Sequence, residues 1–188
     1  MKKIFTFVLL SLPVFSYAQW IDVSALYGAG PYKISAGIKN GSSGSFNVSA
    51  SIVKLSFLDA GIQYSSINTV TLCKATSPGV FADLVFRDEA HKNIFLAGGQ
   101  INYTTFGNIK TGGYYLKDGT RDTVSTTLDK AISYGVRLGY KRQIIEHLYV
   151  YALISPTYSV STIHYTGVGT NNCALLYLPF MIGVSARF

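Results

Sequence analysis

His164 stands in the run Ser161-Thr162-Ile163-His164-Tyr165-Thr166. An imidazole within hydrogen-bond reach of a hydroxyl can activate it as a nucleophile, and a carboxylate behind the ring would orient it. This run has no acid. The nearest are Asp118, Asp122 and Asp129, in an earlier connection. His91 and His147 fall in short turns, where solvation accounts for them. Cys73 and Cys173 match no zinc or redox spacing, so a bridge between them and two separate thiols are both open. No metal or phosphate-loop motif is present, and no cofactor is expected. The remaining ionisable candidates are Asp22, Asp59, Asp83, Arg87, Arg137, Lys141 and Arg187. They are scattered along the chain, but each falls on the polar phase of an alternating segment.

Those segments must position them. Ile21, Val23, Ala25 and Tyr27 alternate with Asp22, Ser24, Leu26 and Gly28. Val80, Ala82, Leu84 and Phe86 alternate with Phe81, Asp83, Val85 and Arg87. Ile132, Tyr134, Val136, Leu138 and Tyr140 alternate with Ser133, Gly135, Arg137, Gly139 and Lys141. Period-two alternation is the strand signal. Eight such segments can be read, the last ending Phe180-Met181-Ile182-Gly183-Val184-Ser185-Ala186-Arg187-Phe188. The segment 148–158 is apolar on both faces, and its phase is open.

The connections between them alternate in length. Those at 30–44, 66–77, 107–129 and 161–172 are long, and those at 55–57, 88–93 and 143–147 are short. An up-and-down barrel with short turns at one rim and long loops at the other produces this order. Eight tilted strands of about ten residues span a bilayer, and closing the ring satisfies every backbone group, as lipid demands. A soluble exported barrel, such as a lipocalin, also alternates, with its apolar face inward. Against it, the apolar phase carries tyrosines and phenylalanines near strand ends, as an aromatic girdle would. The other phase is rich in Gly, Ser, Asn, Gln and single charges.

The first residues carry an address. Lys2 and Lys3 precede an apolar run from Ile4 to Leu12, and Ser16-Tyr17-Ala18 has the small residues of a cleavage site. Residues 1–18 are read as a signal peptide and 19–188 as one barrel domain. The run is too short to span a bilayer. The chain carries a formal charge of +7, of which Lys2 and Lys3 leave with the signal. The rest is spread out, which excludes a nucleic-acid footprint and suits an anionic membrane surface.

The final strand resembles the C-terminal signal of bacterial outer-membrane β-barrel proteins, which their assembly machinery recognises. Phe188 matches its terminal aromatic residue, Gly183 its glycine, and Ala186 weakly matches its bulky hydrophobic position. Met181 stands where that pattern has a polar residue. The whole of 19–188 is similar to the small eight-stranded class that includes the membrane domain of outer-membrane protein A and outer-membrane protein X. The resemblance implies a bacterial outer-membrane location, a lumen without an open channel, and lipid, lipopolysaccharide and the assembly machinery as partners. A lipid A deacylase of this class uses a His-x-Ser pattern, whereas this chain reads His164-Tyr165-Thr166.

The expected architecture is therefore an all-β, eight-stranded antiparallel up-and-down transmembrane barrel. Eight strands leave a lumen just wide enough for side chains to fill. The charges inside must pair, with Asp83 and Arg137 nearest the middle. The expected role is structural or interactive, through extracellular loops whose ligand is unknown, and not enzymatic. A narrow pore and a lipid A-modifying enzyme using His164 are the alternatives. Lys33, Lys39, Lys74, Lys110, Lys117, Arg121 and Lys130 outnumber Asp118, Asp122 and Asp129 in the long connections. Such a rim suits lipopolysaccharide phosphates or plain solvation. Tyr114 and Tyr115 are read as packing over that rim.

Overall fold

A computed structural model describes residues 21–34, 41–69, 74–88, 90, 92–107, 114–115, 121–122, 126–165 and 169–188. The expected signal peptide, His91 and Cys73 lie outside the described residues. Strands β1 (Asp22–Ile34), β2 (Gly41–Lys54), β3 (Leu58–Thr69), β4 (Lys74–Arg87) and β5 (Asn93–Phe106) form the first five staves of a ring. Strands β6 (Tyr114–Tyr115) and β7 (Arg121–Asp122) pair with each other in the fifth connection. The sixth stave is β9 (Ala131–Ile145), extended outward by β8 (Thr126–Leu128). The seventh joins β10 (Leu148–Ile154) to β11 (Thr157–Tyr165), and the eighth joins β12 (Gly169–Tyr177) to β13 (Phe180–Arg187).

All ring pairings are antiparallel, and β13 closes on β1 from Asp22 opposite Arg187 to Ala29 opposite Phe180. Phe188 completes the seam by exchanging two backbone hydrogen bonds with Ile21, at 2.9 and 3.0 Å. Stepping between paired residues from Asp22 leads through Ser51, Gly61, Phe81, Gln100, Gly135, Thr157 and Tyr177 to Tyr32. The ring thus closes ten residues farther along β1 than it began. Such a stagger tilts the strands by about 40° to the barrel axis.

Alternation decides which side chains face in. Tyr27 is 71% exposed, while Asp83 is 0% and Arg137 1%. The outward set is apolar: Ile62, Val80, Leu84, Ile101, Val136, Leu138, Ile182 and Val184 are all exposed. Its aromatic residues form two bands. Tyr27, Phe46, Tyr64, Tyr103, Tyr134 and Tyr158 lie toward the long-loop end, and Phe57, Phe86, Phe95 and Phe188 toward the short-turn end. A water-soluble barrel cannot expose a continuous apolar belt of this kind, whereas a bilayer requires it. The open phase of 148–158 resolves with Tyr149, Tyr151 and Leu153 inside.

One expectation needs correction. The connections read as long at 30–44, 66–77 and 161–172 are largely strand, because β1 to β4, β11 and β12 run on past the outer aromatic band. Polar, Gly- and Ser-rich sequence there reflects strands that have left the apolar layer, not loops. In β2 a bulge between Ser51 and Val53 reverses the phase, so Val53 pairs with Ala60 and Lys54 with Asp59. Lys54 therefore turns inward at the short-turn end.

Prolines interrupt the ladder at one height. The Ser155-Pro156 step of stave seven lies beside Leu178-Pro179 of stave eight, with no shift of register across either. Val136 N–H donates to Pro156 O at 3.0 Å, Ser155 N–H to Pro179 O at 3.2 Å, and Leu178 N–H to Pro31 O at 3.0 Å. In each pair the proline has no N–H to return. Three neighbouring pairs therefore hold one bond where two are normal.

Candidate functional site: the lumen and its rims

Three tiers fill the interior. The tier nearest the short turns is built on Asp22, at the ring closure. Its Oδ1 accepts from Arg187 Nε at 3.0 Å, and its Oδ2 from Lys54 Nζ and, at 3.5 Å, from Lys141 Nζ. Lys141 also lies 3.9 Å from Asp59 Oδ2. The cations stack on inward tyrosines: Lys141 Nζ lies 4.9 Å from the Tyr151 ring centre and Arg187 5.0 Å from that of Tyr149.

The middle tier spans the lumen. Arg137 Nε donates to both Asp83 carboxylate oxygens at 3.1 Å. Its Nη1 reaches Gln63 Oε1 at 2.6 Å and its Nη2 the Tyr151 hydroxyl at 3.2 Å. Its guanidinium lies 4.3 Å above the centre of Phe81. Gln63 Nε2 donates onward to Gln100 at 2.8 Å and Asn102 at 2.7 Å, and Gln100 Nε2 to Thr157 at 3.0 Å. Buried Leu26, Val85, Ile94, Leu96, Leu153 and Met181 pack with the two tyrosines beside these tiers. Few groups are left unmatched: Asp59 Oδ1 and Arg187 Nη2 are buried without a hydrogen bond.

Among the described residues, the lumen above this is uncharged and hydroxyl-rich. Ser77 bonds Thr104 at 2.9 Å and Asn47 donates to Ser65 at 2.8 Å. A cavity there has room for about one water. Buried Ser45 Oγ and Tyr177 OH line it without a protein partner, and a water would serve both. An apolar lid of Tyr32, Ile163, Cys173 and Tyr177, flanked by Ile67, Leu128 and Leu175, closes the top.

Of the residues expected inside, Asp22, Asp59, Asp83, Arg137, Lys141 and Arg187 meet in the lower two tiers. Arg87 does not join them. It shares the inward face of β4 but lies beyond the lumen's end, where it is exposed. Lys54 was not foreseen, because strict alternation from Phe46 points it outward until the bulge intervenes. Gln63, Gln100, Tyr149 and Tyr151 were also missed as members. Their inward phase was the signal for the glutamines, and the two-faced segment 148–158 hid the tyrosines. Gly183 and Ala186 lie on β13, paired with Leu26 and Val23.

At the outer rim His164 lies in β11, not in a loop. Its Nε2 is 2.9 Å from Asp129 Oδ2, both side chains about half exposed. Asp129 gets there because its N–H donates to Thr162 O at 3.0 Å and its carbonyl accepts from Ser161 Oγ at 2.6 Å. Thr127 and Thr170 stand opposite His164 on the two flanking strands. The carboxylate missing from the histidine's own segment is thus supplied by a neighbour. Cys173 is buried in the lid, which pushes its thiol above the usual range. Lys33, Lys74 and Lys130 are exposed at this rim, while Lys39, Lys110, Lys117 and Asp118 lie outside the described residues.

No protein-family model and no curated protein matches this sequence. Solved structures do match the fold. Neisserial surface protein A aligns over 90% of this chain and 97% of its own, with a TM-score of 0.56 and 16% identity. The outer membrane protein OprG from Pseudomonas aeruginosa aligns over 90% and 95%, with a TM-score of 0.56 and 13% identity. The fold is that of small eight-stranded outer-membrane β-barrels.

Proposed function

We propose that this chain is a non-conducting barrel of a Gram-negative outer membrane, exported by residues 1–18, that acts structurally or through its extracellular end. The observation that carries this reading is the middle tier. Arg137, Asp83, Gln63, Gln100, Tyr151 and Phe81 occupy the lumen with mutual hydrogen bonds and stacking, which supports a lumen filled by side chains. The exposed apolar belt supports insertion in lipid. Short turns facing the periplasm, recognition of Gly183, Ala186 and Phe188 by the assembly machinery, and lipopolysaccharide at the exposed outer-rim lysines belong to the same reading. Purified protein is expected to run at a different position in SDS before and after boiling. In planar bilayers it is expected to give no single-channel steps. Regular steps from inserted, heat-modifiable protein would replace this reading with a narrow pore.

One observation favours a second reading, a lipid A-modifying enzyme. The His164–Asp129 pair has the orienting half of a nucleophile-activating arrangement, with Thr127 and Thr170 as neighbouring hydroxyls. On the proposal above, lipid A mass spectra from cells producing the wild type and His164→Ala are identical. A mass difference lost in His164→Ala would establish the enzyme instead.

A further inference from the structure

We infer that the outside of the barrel holds one anionic glycerophospholipid, its acyl chain in a groove across staves four to eight and its phosphate on Lys92 and Arg142. This rests on the membrane-spanning reading and goes beyond general lipid contact.

The groove has a volume of about 440 Å³ and is almost wholly apolar. Phe86, Phe95 and Tyr140 wall one side, and Leu138, Ile154 and Phe180 the other. The walls follow from register. Phe86, Phe95 and Tyr140 are paired in sequence across β4, β5 and β9, and Leu138, Ile154 and Phe180 across β9, β10 and β13. Each row is broken by an alanine, Ala152 beside Tyr140 in the first and Ala97 beside Leu138 in the second, so the floor drops to the backbone there. The ring of Phe95 lies 5.0 Å from that of Tyr140, and Tyr140 OH donates to Asn93 Oδ1 at 2.7 Å, which fixes the wall nearer the turns. In hydrocarbon, the material available to fill such a channel is an acyl chain.

Charge selects the headgroup. Arg142 follows Tyr140 by two residues on the same outward face, about 7 Å nearer the short-turn rim. Lys92 abuts it, since Gln143 N–H donates to Lys92 O at 2.8 Å. Both are exposed. Of the acids described at this rim, Asp88 accepts from the backbone N–H and side-chain amide of Asn93, and Glu146 lies beside His147 in the next turn. Two cations at the foot of an acyl-sized groove match a phosphate linked to a fatty chain. The site lies at the rim opposite the outer loops, so its ligand belongs to the phospholipid leaflet.

The test uses the full barrel in phosphatidylcholine vesicles with spin-labelled phosphatidylglycerol as the probe, read as its association relative to labelled phosphatidylcholine. Wild type is expected to prefer phosphatidylglycerol by roughly fivefold or more. Replacing Lys92 and Arg142 together by Gln is expected to bring the ratio to about one. Ala97→Leu with Ala152→Leu, which fills the floor and leaves every charge, is expected to do the same. Arg142→Lys retains the preference. A ratio near one for wild type, or a preference surviving either set of changes, overturns the site. Heat-dependent gel mobility on the same samples separates that result from failure of the barrel to insert, which would overturn the membrane reading itself.

Discussion

Arg137→Met is expected to destabilise the barrel by about 3–5 kcal/mol, measured by urea unfolding from lipid vesicles. The cost comes less from losing an attraction than from what remains. Asp83, 0% exposed, would keep a carboxylate in the middle of the lumen with its cation gone. Gln63 and Tyr151 would lose a donor at the same time. Arg137→Met combined with Asp83→Leu is expected to recover most of the loss, since an apolar pair of similar volume needs no counter-charge. Arg137→Lys recovers less, because an ammonium cannot hold both carboxylate oxygens and a glutamine in one plane. A change below about 1 kcal/mol for Arg137→Met would mean that water reaches Asp83. That result would count against a filled lumen and toward the pore.

Gly183→Val is expected to stop the ring from closing. A Cβ built on Gly183 would overlap Ala25 O and fall 2.8 Å from Leu26 Cα, both backbone atoms of the closing strand. No side-chain rotation relieves that contact, so β13 must shift away from β1. The cost is about 3 kcal/mol, at the upper end for overpacking, and it falls on the pairing that makes the sheet a barrel. Refolding into detergent micelles and comparing unheated with boiled gel lanes is the measurement, with loss of the compact band expected. Since micelles contain no assembly machinery, loss there assigns the effect to packing. A normal band in micelles with failed assembly in cells would assign Gly183 to recognition.

How much of this was legible depended on whether each strand kept one period. β4 alternates without a break and β9 does so from Ala131 to Arg142, and the facing of Asp83 toward Arg137 follows directly from their phase. β2 alternates until a single extra residue reverses it, so Lys54 was invisible to parity. The seventh stave carries apolar residues on both faces, because its inner side supplies Tyr149, Tyr151 and Leu153 as platforms and packing for the lumen cations. An inner face that is half aromatic looks like a second outer face. Arg87 misled in the opposite way: its phase was right, but phase says nothing of height along the axis. The outer parts of β11 and β12 were read as loop for a related reason. Beyond the lipid layer a strand no longer needs an apolar face, and its pattern dissolves while its pairing continues. His164 and Asp129 met through that continued pairing, at a sequence distance no local pattern bridges.

The prolines at 31, 156 and 179 divide the barrel mechanically. A row of half-bonded pairs acts as a perforation: shear or bending applied to the outer hairpin is taken up along it before it reaches the Arg137 tier. The two sides then open as separate cooperative units. Amide exchange should fall in a step on crossing from β11 and β12 into β10 and β13. On the proposed reading, whatever engages the outer end would reshape the lid of Tyr32, Ile163 and Tyr177 while the Arg137 tier beneath keeps its bonds.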